Sequence, residues 1–288
     1  MAGGGTLTHE FTPPPPGEIL GHPKPLWMLF SAEFWERFCY YGMRALLAVY
    51  VAATFFGHLP EGEANAQASL TYGGYTALVY ATAILGGYVA DNYLGYQRSI
   101  ILGGALIALG MFMLLIPQLQ WFLAGLAVIV AGNGLFKPNI STMVGALYAP
   151  QDSRRDSGFT IFYMGINAGA FVAPIVCASV VGARFGYRYG FLAAGIGMVF
   201  GIVVFQFLAG MLGHIGKAPA GREGVKPVLV VLGGAAAMVP LLWLLLSKSE
   251  VLGYVLIGLM LFLVLYFLAS GIRSGDRVQL QRYGAMLL

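Results

Sequence analysis

The run Glu33-Phe34-Trp35-Glu36-Arg37-Phe38-Cys39-Tyr40-Tyr41-Gly42-Met43-Arg44 sets four ionisable side chains inside an apolar stretch long enough to cross a bilayer. Each such charge costs on the order of 2.5–3.5 kcal/mol at a helix centre on insertion scales, so it persists where it faces a bundle interior or a water-filled path and has a partner. Glu33, Arg37, Tyr40, Tyr41 and Arg44 follow i, i+4, i+7, i+8 and i+11, which is one stripe of a helix, and Glu36 borders it. The chemistry open to this face is proton uptake by a carboxylate whose ion-pair partner is then free to change. Two acids and two arginines together exceed what a static helix-locking pair requires, so transport across a membrane is the first implication.

Three further polar residues fall at a matching depth. Counted from the end of each apolar segment on the side of the N-terminus, Glu36 and Arg37 lie about eleven residues in. Tyr80 is about eleven from Asp91, Lys137 about ten from Leu147, and Asn167 about nine from Gly158. At 1.5 Å per residue, all four positions sit roughly 15 Å deep, near a bilayer midplane. Lys137 precedes Pro138, which removes a backbone hydrogen bond and is expected to bend its helix. A lysine snorkelling to the interface is the plainer alternative, but ten residues is more than one side chain comfortably spans. The loop Gly86-Gly87-Tyr88-Val89-Ala90-Asp91-Asn92-Tyr93-Leu94-Gly95-Tyr96-Gln97-Arg98 is a gate or hinge candidate through Gly87, Asp91, Gly95 and Arg98. Gly95 permits a tight turn, and Asp91 and Arg98 are placed to pair across it or to cap helix ends. An ordinary capped turn satisfies the same spacing.

The elements that must position these groups are membrane helices. The chain of 288 residues is 58% hydrophobic and 10% charged, outside the range of soluble domains. Apolar segments run from Pro25 to Ala53, Ala66 to Ala90, Ser99 to Ile116, Trp121 to Leu147, Gly158 to Ala183 and Tyr187 to Gly213, followed by a pair from Pro227 to Leu246 and Val251 to Ile272. The pair contains no charged residue and is expected to be accessory. This divides the chain into a flexible tail (1–24), a six-helix unit (25–213), a polar connector (214–226), the accessory pair (227–272) and a linker that begins a further helix (273–288). Of the 16 Lys and Arg residues, ten fall in loops on the side of the N-terminus and three in loops on the other side. This bias puts the N-terminus in the cytoplasm. Gly165-x-x-x-Gly169 and Gly197-x-x-x-Gly201 are spacings that allow close helix approach.

Several function classes recede. The first two dozen residues lack a basic segment followed by an apolar one and do not read as a cleaved signal. The net charge of +4 resides in short loops that orient the chain in a bilayer, so nucleic acid is not expected as a partner. Cys39 and Cys177 lie in apolar segments and suggest packing rather than a metal site. No nucleophile and base set or phosphate-binding loop points to an enzyme. His9, His22, His58 and His214 lie in the tail or near segment ends, so a proton crossing the membrane would have to ride on a carboxylate. No cofactor other than that coupling proton is expected.

The segments EFWERFCYYGMRALL, GGYVADNYLG, GLFKPNIS and FYMGINAG together resemble the proton-dependent oligopeptide transporters of the major facilitator superfamily. They supply a Glu-x-x-Glu-Arg motif, the superfamily's loop between helices two and three, a helix-four lysine and a Phe-Tyr-x-x-x-Asn signature on helix five. The resemblance implies an all-α membrane protein: a six-helix N-terminal bundle, two accessory helices of the bacterial type, and a chain cut at the start of helix seven. It implies proton coupling by Glu33 and Glu36 with Arg37 and Lys137 as switching partners, and a di- or tripeptide site lined by Tyr40, Tyr41, Arg44, Tyr80, Lys137 and Asn167. Arg44 and Lys137 would receive the peptide carboxylate. The expected partners are the peptide, the lipid bilayer of the cytoplasmic membrane, and either a C-terminal half or a second copy of the chain. A self-associating half-transporter and a non-transporting membrane interaction protein are the alternatives. Within transport, nitrate or another small anion is the alternative substrate.

Overall fold

The computed structural model describes residues 13–274. Eight long helices follow one another: α1 (Lys24–Phe55), α2 (Glu61–Val89), α3 (Tyr96–Met113), α4 (Leu119–Ala146), α5 (Arg155–Ala173), α6 (Tyr187–Leu208), α7 (Lys226–Ser247) and α8 (Ser249–Ser274). Among the described residues six helical spans are long and apolar enough to cross a membrane, the fourth running continuously from Arg155 to Phe185. α2 has the length, 29 residues, but two acids in its first turn and the polar positions Thr71, Tyr72, Thr76 and Tyr80 lower its hydropathy. Tyr72, Thr76 and Tyr80, at four-residue spacing, share one side of the helix, as expected of an element that contributes to an internal polar face.

α1 is the axis of the packing, with its most extensive contacts to α5 and α6, while α4 packs chiefly on α3 and α2. Glycines set these approaches. A Cβ on Gly169 would meet the backbone of Phe34 and the side chain of Arg37, and one on Gly201 would lie 2.6 Å from Trp35. The close approach expected of the two glycine spacings is therefore made onto α1 from both sides.

Pro138 sits inside α4, and the helix continues through it to Ala146. Lacking an N–H, Pro138 leaves the Gly134 carbonyl without its usual helical donor. That carbonyl lies against Gly86 of α2, at a position where no Cβ would fit. Thr82, one turn earlier, donates to the Val130 carbonyl at 3.2 Å. The α2–α4 contact is thus backbone on backbone, with Thr82 donating across it from α2 and the Asn139 amide of α4 donating to the Gly86 carbonyl at 3.4 Å.

Within the stretch assigned from sequence to a tail, Glu18–Ile19 and His22–Pro23 pair as a two-stranded hairpin. Its turn residues Leu20 and Gly21 both have positive φ, as tight hairpins require. His22 Nδ1 lies 2.9 Å from the Tyr148 hydroxyl, and Arg154 donates to Glu18 at 2.7 Å and to the Gly21 carbonyl at 3.1 Å. Burial raises the Tyr148 hydroxyl to about 12, and hydrogen bonds from Arg154 hold the Asp152 carboxyl below its ordinary range. The sequence distance between hairpin and partners, more than 120 residues, hid this latch from local pattern reading.

Gly86→Val should disrupt the α2–α4 contact because a backbone carbonyl cannot move aside as a side-chain tip can. An overpacking loss of about 1–3 kcal/mol is expected, read as a lower melting temperature in detergent, whereas Gly87→Ala, whose nearest neighbour is Pro138 at 4.0 Å, should melt close to the parent.

Candidate functional site

The polar stripe of α1 faces inward, and its charges meet one another there. The Arg37 Nε lies 2.9 Å from Glu33 Oε1 and 2.5 Å from Glu36 Oε2. All three residues are buried, Glu36 to 1% exposure. Glu33 and Arg37 are one helical turn apart, so they meet naturally, whereas Glu36 and Arg37 are adjacent and must bend toward each other. The contacts are close but incompletely aligned: Glu33 Oε2, Glu36 Oε2 and the Arg37 Nε and Nη2 have no hydrogen-bond partner among the described residues. One guanidinium therefore serves two carboxylates and retains donor capacity.

Lys137 of α4 supplies the second cation. It lies within electrostatic reach of both Glu33 and Glu36, and its Nζ stands 4.2 Å from the centroid of the Tyr80 ring on α2. Two acids and two cations balance to neutrality in this region, the condition under which buried charges are tolerated. The Arg37 guanidinium also lies 5.3 Å from the Tyr40 ring, which meets Tyr41 edge-on at 5.2 Å. Glu33, Glu36, Arg37, Tyr40, Tyr41, Tyr80 and Lys137 are thus brought together from three helices.

Arg44 stands two turns beyond Arg37 on α1. Its Nε donates to the Tyr72 hydroxyl, and its guanidinium lies 5.2 Å from the Tyr72 ring centroid. Tyr72 was not singled out from sequence, although its spacing to Thr76 and Tyr80, four and eight residues on, was the available signal. With Nε on Tyr72, both terminal nitrogens of Arg44 have no hydrogen-bond partner among the described residues, which suits them to grip a carboxylate as a fork. Asn167 is exposed on α5 one turn from the exposed Tyr163, and Tyr80 is 60% exposed. Tyr80 and Asn167 thus lie on an open face, Tyr41, Arg44 and Lys137 are half-buried, and Glu33, Glu36, Arg37 and Tyr40 are buried. An apolar groove of about 290 Å³ between α2, α4 and α7, lined by Leu85, Gly134, Val231 and Met238 among others, contains none of them.

The loop candidates are separate from this cluster. Asp91 and Arg98 do not pair: Asp91 accepts from the Tyr96 hydroxyl at 2.8 Å. Arg98 instead donates to the carbonyls of Arg222, at 3.4 Å, Glu223 and Gly224, at 3.0 Å. Gln97 adds bonds to the carbonyls of Ile215 and Gly216. Gly95 adopts φ +73, and a Cβ there would strike the Lys217 backbone. The pairing expected across the loop is replaced by bonds to the connector before α7, because unpaired carbonyls at the approach to that helix offer the guanidinium several acceptors. Gly87 lies beside Pro138 at the α2–α4 contact.

Comparison with known proteins agrees with this architecture. The POT family model matches residues 97–235. A di-/tripeptide transporter of Lactococcus lactis subsp. lactis is 46% identical over 212 residues, covering 73% of this chain and 42% of the relative. Dipeptide and tripeptide permease B of Photorhabdus asymbiotica is 37% identical over 265 residues, covering 90% and 52%. The crystal structure of a peptide transporter POT in complex with sulfate superposes with a TM-score of 0.74 at 36% identity, covering 96% of this chain and 57% of that one. The chain belongs to the POT family of transporters, with the helical fold of the major facilitator type, and is a multi-pass membrane protein. It spans about half the length of the curated relatives it matches.

Arg37→Met would leave two buried carboxylates facing each other with Lys137 as their remaining cation. A loss of about 3–5 kcal/mol is expected, read as a lower thermal midpoint in detergent, whereas Glu33→Gln preserves one balanced pair with Arg37 and should cost clearly less.

Proposed function

We propose that the polar face of this chain serves proton-coupled uptake of di- and tripeptides across the cytoplasmic membrane, with the N-terminus in the cytoplasm. The observation that carries the reading is the sharing of Arg37 between two buried carboxylates, with Lys137 in reach of both. Protonating Glu33 or Glu36 removes one of two negative charges competing for the same cations. Arg37 or Lys137 is then released toward another partner, and the helix arrangement that holds the other partner gains population. A proton binding event is in this way converted into a change of packing.

The substrate assignment follows from the free atoms. Arg44, held through Nε by Tyr72, presents its terminal nitrogens to a carboxylate, and Lys137 offers a second charge to the same group. Tyr40, Tyr41 and Tyr80 combine apolar ring surface with hydroxyls that adapt to different peptide side chains. Asn167, exposed on α5, adds a further donor and acceptor to this reading. The names of the relatives, a di-/tripeptide transporter and a dipeptide and tripeptide permease, support the same substrate class. Because the polar face is open, the transporting unit requires a second bundle against it; sites of this kind lie between halves that rock about them. The relatives have the length to supply such a bundle.

Two outcomes are expected in a transporter of the relatives' length carrying this sequence. Glu36→Gln should abolish accumulation of a dipeptide driven by a pH gradient in proteoliposomes while sparing counterflow exchange; uphill uptake by the variant would remove the coupling role. Arg44→Ala should weaken binding of peptides with a free C-terminus by tenfold or more, about 1.4 kcal/mol or above, and affect C-terminally amidated peptides little.

A further inference from the structure

The apolar groove between α2, α4 and α7 is open along one side of α7 because small residues line it there. On the bundle side Gly86 and Gly134 are used for backbone contact, but a Cβ on Gly234 of α7 would meet nothing within 4 Å. Gly234 therefore leaves room instead of closing a contact. Val230, Gly234 and Met238 follow one another at four-residue spacing, and all three line the groove. Over those eight residues it runs about 12 Å along the helix, within the roughly 15 Å depth of one leaflet. Thr82, which also lines it, has its hydroxyl committed to the Leu78 and Val130 carbonyls, so the occupant that suits this length is apolar.

The end of the groove on the side of the N-terminus is charged. Tyr93 lines it there, and the Arg222 guanidinium stands 5.0 Å from the Tyr93 ring centroid. The backbone that carries Arg222 is fixed, because Arg98 donates to the carbonyls of Arg222, Glu223 and Gly224. Lys226 opens α7 one turn before Val230, on the same stripe. Both cations are exposed, and neither forms an ion pair among the described residues. The connector that holds them has Lys217, Arg222 and Lys226 against the single acid Glu223.

We propose that this groove binds an anionic phospholipid, with one acyl chain along Val230, Gly234 and Met238 and the phosphate held by Arg222 and Lys226. An apolar slot with unpaired cations at its mouth has the polarity of such a molecule. A helix from another protein could fill the slot but brings no fixed counter-charge to the mouth, whereas a phospholipid carries chain and phosphate together. Arginine supplies a fork to the phosphate and lysine a point charge. Each basic residue near the membrane surface favours an anionic headgroup by about fivefold. The lipid joins the accessory pair to the six-helix unit, filling the space that the small residues of α7 leave between them.

The test is photolabelling of the 288-residue chain in lipid nanodiscs with phosphatidylglycerol or phosphatidylcholine carrying the same mid-chain diazirine, the labelled residues being located by mass spectrometry. The phosphatidylglycerol probe should label the groove segments 82–93 and 230–238 about fivefold or more above the phosphatidylcholine probe, while the exposed Val203 on the outer face of α6 takes both equally. Arg222→Gln combined with Lys226→Gln should bring phosphatidylglycerol labelling of the groove down to the phosphatidylcholine level and leave Val203 unchanged. Gly234→Leu, whose side chain enters open space, should remove groove labelling by both probes; the double variant, altered only at exposed positions, keeps the test decisive if Gly234→Leu does not fold. Equal labelling of the groove by both probes in the parent, or a phosphatidylglycerol preference that survives loss of both cations, would overturn the headgroup site. A groove that takes neither probe is covered by protein, a second copy of the chain included, and would overturn the lipid. The readout involves neither proton nor peptide, so it stands apart from the transport reading.

Discussion

A guanidinium shared by two carboxylates in the middle of a helical bundle is the constraint from which most of this structure follows. Isolated charges cannot remain in hydrocarbon, so Glu33, Glu36 and Arg37 require α1 to be enclosed. The glycines of α5 and α6 provide the enclosure, bringing Gly169 and Gly201 onto the backbone and side chains of α1. The excess acid requires a further cation, and α4 brings Lys137 to it. α4 itself is held by backbone contact with α2 at Gly86 and Gly134, so the position of Lys137 depends on two residues that carry no side chain.

The same arrangement explains why the cluster is suited to switching rather than to rigidity. A fully satisfied ion network would lock the helices; this one leaves donor atoms of Arg37 and acceptor atoms of both acids without aligned partners. Such groups cost stability where they stand, and the cost falls when the charges are redistributed by a proton or by an incoming carboxylate. Function is in this sense stored as incomplete hydrogen bonding in an otherwise well-packed bundle.

Away from the cluster, an arginine gathers each of two irregular segments onto the bundle, the N-terminal hairpin, which His22 also ties to Tyr148, and the connector before α7, which Gln97 also holds. Arg154 gathers Glu18, the Gly21 carbonyl and Asp152, while Arg98 gathers three consecutive connector carbonyls. Guanidinium suits both places because its several donors can hold irregular backbone that has no helix or sheet partners. The loop containing Asp91 and Gly95 accordingly acts as a fastening for the chain that leads into the accessory helices.

The amino-acid sequence by itself determined what depends on composition and short spacing. Charges in an apolar segment, the stripe from Glu33 to Arg44 and the common depth of Tyr80, Lys137 and Asn167 are consequences of helical periodicity and of the energy of ions in lipid. Only the tertiary structure decided which atoms meet. That Tyr72 anchors Arg44 and that Arg98 turns from Asp91 to residues more than 120 positions away both depend on helix rotation and approach. Those are set by side-chain volume at glycine contacts between distant segments, a quantity that no local pattern in the chain records.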